Sequence, residues 1–513
     1  MAGAQRFPAR EFPGVGAPYK EEDGSMTRRS QTFAAATGMG VLVLVALGGC
    51  VDEKIVYRDG PNYASPPQAA ASFVGYSDEA NKVTVCGNCH VGQQAKWKQT
   101  AHADAFATLE KSGSMQGLCQ ACHTVNDRGN ALSDTLAGWR TTKDKRYHDV
   151  QCESCHGAGL AHIQRPTRGQ MLPSIAADTG TKATNGCAEC HSGTHHPYVD
   201  EWRQTRHARV YSGTFSSGVA NPACQSCHMG QKILEAWGVN TNFVEKAATI
   251  TPANAVGTTC AVCHDPHGSN NPKQLRFPID VPDLDQNLCM KCHYRRANPD
   301  FTSSRLSPHS PQGPMLLGEA GWWPPGLQAD STLVATHGTS RNPKLCATCH
   351  VNRFDVTDKA TGKFVQTVTG HRFTAIPCVD GNGLPLPPDK QNCSVTARSY
   401  KSCAGSGCHS ETTARTVFVT AEADIAGLAA GLNAMLAKVP ASEMAVPKVN
   451  SARGATFNVA LALHPGSAAH NPFLAKALLR ASIVAVANDY GITPPPGLQL
   501  APFDKQLRAR SSN

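Results

Sequence analysis

Apolar positions fall into three kinds of stretch along this chain. Phe33 to Leu47 is a short apolar run behind Arg28 and Arg29, interrupted by Gly38 and Gly40. The long middle has sparse, irregular apolar positions. Over Gln93 to His102, Trp97 begins a helical spacing continued by Ala101, Ala105 and Phe106, which predicts a helix carrying His102. The stretch 411–513 contrasts with both. Ala421 to Val439 places Ile425, Leu428, Leu432, Met435 and Leu436 on one helix face, and Gly454 to Leu463 is a second apolar run. Asn471-Pro472 reads as a cap followed by a first-turn proline. Leu474, Leu478, Leu479, Ile483 and Val486 then share a side until Gly491, ahead of Pro494 to Pro496.

The middle cannot build an ordinary core. Only 6% of the 513 residues are aromatic, with 45 Gly and 34 Pro, so long elements are few and protein packing is thin. The 21 cysteines change that picture. C-x-x-C-H occurs at Cys86–His90, Cys119–His123, Cys152–His156, Cys187–His191, Cys224–His228, Cys260–His264, Cys289–His293 and Cys346–His350. This is the attachment pattern of c-type haem: Cys86 and Cys89 add to the porphyrin vinyls, and His90 becomes the proximal iron ligand. The same roles fall to Cys119, Cys122, His123; Cys152, Cys155, His156; Cys187, Cys190, His191; Cys224, Cys227, His228; Cys260, Cys263, His264; Cys289, Cys292, His293; and Cys346, Cys349, His350. A zinc knuckle or redox pair competes for one C-x-x-C, but neither needs His after every second Cys.

A ninth motif, Cys403 to Cys408 and His409, has four residues between its cysteines. A rival pairing attaches Cys393 with Cys408 and leaves Cys403 for a disulfide. The favoured one bridges Cys378 to Cys393, worth roughly 3 kcal/mol for a loop of this size. Nine haems, eight of them in the regular motif, would supply the missing apolar bulk. The formal charge of +9 then says little about nucleic acid or anionic membrane, because each haem brings two propionates for the basic residues to pair with.

Spacing also reveals a repeat. CGNCHVGQQAKWKQTAHA from Cys86 is echoed by CAECHSGTHHPYVDEWRQTRHA from Cys187. Each copy leads to a second motif and then a third. The expected organisation is an upstream extension and export signal (1–49), a tether (50–80), three-haem modules (81–170 and 171–275), a third haem section (276–410) and a C-terminal helical cap (411–513). The cap would pack over terminal haems; a dimerisation surface is the lesser alternative. Met26 is the better start, since Leu47-Gly48-Gly49-Cys50 resembles the lipobox of bacterial lipoproteins, whose Cys, here Cys50, is lipidated. A transmembrane anchor competes poorly, because the run is short and glycine-broken. This predicts an exported outer-membrane lipoprotein facing the periplasm or the cell exterior, where disulfides persist.

Twelve histidines remain after the proximal set is removed, enough for a distal imidazole on every iron. His102 and His207 lead, both on a repeated Trp-x-x-Thr-x-His segment. His162, His267, His309, His337, His371 and His470 follow, and His196 is favoured over His195. His148 and His464 are the surplus. Met229 and Met290 adjoin motifs and read as packing.

Several segments resemble the multihaem c-type cytochrome family that includes the nitrifiers' tetrahaem cytochrome, hydroxylamine oxidoreductase and octahaem reductases. They are Val150-QCESCHGAGLAH ending at His162, His195-HPYVDEW leading to His207, Thr259-CAVCHDPHGS with His267, and Gly466-SAAHNPFLAKALL. The resemblance implies a mainly helical and irregular fold wrapped around stacked haems, and it supports His162, His196, His207, His267 and His470 as axial ligands. It implies electron transfer along mostly bis-His haems to other cytochromes, quinol-oxidising membrane complexes or extracellular acceptors. An oligomer or filament of copies is one version of this. The alternative is an oxidoreductase of the hydroxylamine oxidoreductase or nitrite-reductase type with one open iron. No C-x-x-C-K site is present for the reductase version.

Overall fold

Short helical turns separated by irregular chain dominate the computed structural model. It describes residues 73–496 and 498, except 126–137, 168, 171, 178–185, 211–221, 240, 241, 247, 248 and 406. The expected export signal, Cys50 and most of the tether lie outside the described residues.

The chain enters through β1 (Tyr76–Asp78), antiparallel to β2 (Val83–Thr84), and continues into α1 (Val91–Trp97). The helix expected to reach His102 stops at Trp97. Thr100 adopts extended backbone (φ −94°, ψ 160°) and its hydroxyl donates to the Trp97 carbonyl at 2.7 Å, taking an acceptor the helix would have used. His102 therefore sits on a separate single turn, Ala101–Asp104, before α2 (Ala105–Lys111). In the second copy α3 (Tyr198–Trp202) ends in the same way, with the Thr205 hydroxyl 2.7 Å from the Trp202 carbonyl. Both Trp indoles reach the approach to the third motif of their own module: Trp97 Nε1 donates to Val150 O at 2.9 Å and Trp202 Nε1 to Thr258 O at 2.8 Å. The sequence repeat is a structural one.

Farther on come α4 (Gly230–Ala236) and a hairpin of β3 (Phe354–Thr357) with β4 (Phe364–Val368). Apolar clusters in these sections are small, such as Phe73, Phe106, Val125, Trp139 and Tyr147.

The large apolar core lies at the C-terminal end. The first long helix starts ten residues before the apolar pattern suggests: α5 spans Glu411–Leu436, because Ser410 caps it by accepting the Thr413 N–H at 3.0 Å. α6 (Ser451–Ala462) is capped by Asn450, and α7 (Pro472–Tyr490) by Asn471, whose Oδ1 accepts from Leu474 N at 3.0 Å. Gly491 (φ 64°) ends α7. Ile425, Leu432, Phe457, Leu461, Leu478 and Ile483 join Met315 and Leu333 of the preceding section in one core. Gly454 lets α6 lie flat on Trp322, since a Cβ there would come within 2.1 Å of the indole. Asn458, fully buried, accepts from Trp322 N at 2.8 Å and donates to Trp322 O at 2.7 Å and Ser482 Oγ at 2.9 Å. Asn458→Ala would leave buried backbone groups unpaired and cost about 2–4 kcal/mol, read from chemical denaturation followed by circular dichroism.

Candidate haem sites

Each motif folds as a tight turn. In the first, third, fourth, sixth and seventh motifs the His N–H donates to the carbonyl of the first Cys, at 2.8–3.1 Å. That closure brings both sulfurs and the imidazole to one side of the turn. The fifth and eighth motifs lie on the helical turns Pro222–His228 and Cys346–His350, and the second begins on the turn Gly117–Gln120. In the ninth, Cys403 sits on Lys401–Ala404, and Gly407 in left-handed backbone (φ 77°) takes up the longer spacing before Cys408 and His409. Cys378 and Cys393 are bridged, with Cα atoms 6.0 Å apart, which removes the rival pairing of Cys393 with Cys408.

The structure brings motif histidines together with the remaining ones. Ring centres are 6.4 Å apart for His90 and His162, 6.2 Å for His191 and His102, and 6.1 Å for His156 and His267. They are 6.1 Å apart for His293 and His207, 6.0 Å for His228 and His309, and 6.4 Å for His264 and His371. His409 lies 6.2 Å from His337, and His350 lies 6.1 Å from His470. His196 stands close enough to His123 for that ring to lower its pKa, after burial itself; it is also 6.0 Å from His191 and 6.3 Å from His195.

These separations fit an iron. Two metal–imidazole bonds of about 2 Å, with each nitrogen roughly 1 Å from its ring centre, put the centres about 6 Å apart. The protonation states fit too. Burial pushes His470 down to about 3 and His191, His207 and His371 down to about 4, so these rings are neutral near pH 7. Four Nδ1 atoms meet backbone carbonyls: His123 to Ala105 O and His264 to Lys273 O at 2.7 Å, His337 to Ala469 O and His350 to Phe373 O at 2.8 Å. A carbonyl only accepts, so Nδ1 carries the proton and Nε2 keeps its lone pair for a metal. Among the described residues no cluster of three or more His, Cys, Asp or Glu has the arrangement of a zinc-type site.

His148 is used otherwise, stacked 3.6 Å from the Phe106 ring and 4.6 Å from Trp139. His464 has Nδ1 3.3 Å from Pro465 O. Met229 and Met290 are fully buried, and Met290 packs with Leu316 and Leu345.

Two buried carboxylates escaped sequence reasoning. Glu153, inside the third motif, accepts from Val74 N at 2.9 Å and from Gly75 N and Gly159 N at 2.8 Å, tying the entering strand to the loop before His162. Burial pushes its pKa up to about 7 against the pull of those N–H groups. Glu201 on α3 accepts from Thr369 and His371. Neither lies in a motif other than by accident of spelling, so only long-range contacts reveal them.

Two family models match the chain: one described as a doubled CXXCH motif over residues 252–298, the other as cytochrome c554 and c-prime over 85–157. These matches make the chain similar to multihaem c-type cytochromes. The chain is 23% identical to multiheme cytochrome MtrA of Shewanella baltica (strain OS185) over 263 residues, covering 48% of this chain and 69% of MtrA. Among solved structures, outer cell wall cytochrome OcwA shares its fold, with TM-score 0.51 and 18% identity over 81% of this chain and all (100%) of that one. An undecaheme cytochrome from the S-layer of Carboxydothermus ferrireducens gives TM-score 0.46 and 17% identity, over 84% of this chain and 71% of that one.

The repeated indole bond has a measurable weight in this chain. Trp202→Phe keeps the ring and strands the Thr258 carbonyl, so stability to denaturant should fall by about 1–2 kcal/mol with haem content unchanged.

Proposed function

We propose that this chain is an exported nonahaem electron-transfer protein in which paired histidines hold each iron from both sides. The spacing of the imidazole pairs, 6.0–6.4 Å in eight cases, is the observation that carries the reading. His196 completes the set with His123. Bound haem supplies reversible one-electron cycling between ferric and ferrous iron. The polypeptide orients the rings, keeps the most enclosed ones neutral and would place one on each side of the metal, which would deny substrate a place there.

The order of the motifs in space supports a continuous path. Cys86 lies within electrostatic reach of Cys152, Cys122 of Cys190, and Cys187 of Cys260. The same holds for Cys227 with Cys292 and Cys289 with Cys346. Cys155 lies within electrostatic reach of Cys187, Cys263 of Cys289, and Cys349 of Cys403. Each of these sulfurs would bond a carbon on the porphyrin rim, so neighbouring sulfurs would bring macrocycle edges together. The motifs then adjoin in the order first, third, fourth, sixth, seventh, eighth, ninth. The second branches from the fourth and the fifth from the seventh.

MtrA and OcwA are named as a multiheme and an outer cell wall cytochrome, which favours partners that are other redox proteins or extracellular acceptors, with Cys50 as the lipid anchor. Mass analysis of the purified protein should find nine covalent haems, and Cys403→Ala with Cys408→Ala should remove one. The resting protein should be wholly low-spin and its reduced spectrum insensitive to carbon monoxide. Fewer adducts, or a gas-binding haem in the wild type, would overturn the reading. His470→Ala should convert one haem to a high-spin, carbon monoxide-binding form by vacating the face opposite His350.

A further inference from the structure

Glu201 is 2% exposed and stands on α3, far in sequence from the loop it serves. One carboxylate oxygen accepts from Thr369 N at 2.7 Å. The other accepts from the Thr369 hydroxyl and from His371 N, both at 2.7 Å. Between them Gly370 adopts left-handed backbone (φ 84°) against Val351, where a Cβ would come within 2.5 Å of the Val351 carbonyl carbon. Only glycine turns there without strain, and the turn aims both flanking residues at one carboxylate.

The proton directions follow from chemistry. A carboxylate accepts only, so the Thr369 hydroxyl donates to Glu201 and offers its lone pair to His371 Nδ1, 3.1 Å away. The Thr369 backbone also acts on that ring. His371 thus presents Nε2 toward the site it shares with His264, with an anion at the end of its hydrogen-bond chain.

The other supported rings differ. His123, His264, His337 and His350 lean on neutral backbone carbonyls, and His293 on the Gln312 amide oxygen at 3.1 Å. His267 does meet Asp265, at 3.4 Å, but its side chain is 45% exposed and Arg276 shares that carboxylate at 3.2 Å. Arg372 lies within electrostatic reach of Glu201 but gives its Nη1 hydrogen bonds to the Pro385 and Leu386 carbonyls.

We infer that Glu201 is a positioning residue that acts through Thr369 on His371 and lowers the reduction potential of the haem held between His264 and His371. The inference rests on the proposed reading that these two histidines share one iron. An anion linked to the ligand's N–H makes the imidazole a stronger donor and favours the ferric charge. The sixth motif adjoins the fourth and the seventh, so Glu201 places a low-potential step in mid-path and sets the exchange between the two halves of the array.

The test is an EPR-monitored potentiometric titration of the intact holoprotein. Thr369→Val keeps the backbone that acts on the ring and removes only the hydroxyl link. It should leave haem content and low-spin signals intact while the midpoint of a one-electron component moves up, and Thr369→Ser should restore it. Glu201→Gln should move the same component in the same direction. A Thr369→Val titration that superimposes on the wild type overturns the inference. So does conversion of that haem to high-spin, which would make Thr369 a purely structural support. His371→Ala separates the two levels: if no low-spin haem becomes high-spin, the ligand pairing has failed rather than the carboxylate relay.

Discussion

Opposed imidazoles, the most enclosed of them held neutral, are what the rest of this chain is arranged to hold. Each costs free energy to bury, since a ring nitrogen lone pair is stripped of water without a protein donor in its place. The arrangement is stable only when something in the gap accepts that lone pair, and a metal ion does so better than any side chain. The short turns, the thin local cores and the carbonyls beneath the Nδ1 atoms make sense together on that footing. None of them would hold the chain in this shape unaided.

The partners come from different parts of the chain. The eight close pairs join residues 72 to 120 positions apart. His102 of the first module meets the first motif of the second, and His207 of the second meets the first motif of the third section. A metal bridging such pairs closes long loops, which is where a crosslink limits the unfolded chain most. The apolar core of α5, α6 and α7 is the exception, a protein core of ordinary kind, and its α6–α7 connection carries His470 to His350.

Motif turns were legible in the sequence because five residues contain everything they need. The faces of α5 and α7 were legible for the same local reason, although the start of α5 was not: Ser410 does its capping ahead of the apolar stripe, among residues that read as the tail of the ninth motif. The helix expected from Gln93 to His102 was misjudged because periodicity reports which side chains could share a face and is silent on a threonine hydroxyl competing for the backbone. The pairing of histidines was illegible in principle. A list of candidates satisfies the count, but which ring meets which motif depends on contacts spread over the whole fold. Glu201 and Glu153 were hidden for that reason too.

The threonine that breaks the helix explains why the repeated segment is Trp-x-x-Thr-x-His rather than a plain amphipathic stretch. On a continuous helix, residues five apart point about 140° from one another, so Trp97 and His102 could not both work at one strand. After the break at Thr100, the His102 carbonyl accepts from Val150 N at 3.1 Å while the Trp97 indole donates to Val150 O. One residue ahead of the third motif is thereby clamped at both its backbone polar groups. The second module reaches the same end by close approach: Trp202 binds Thr258 O, and Gly257 lies so near the His207 carbonyl that a Cβ would come within 2.4 Å. In each module the histidine that reaches forward to the next is anchored, through its own backbone, to the last motif of the module it leaves. Rigid spacing between consecutive modules follows from that anchoring, and an electron path through them needs such spacing more than it needs any single side chain.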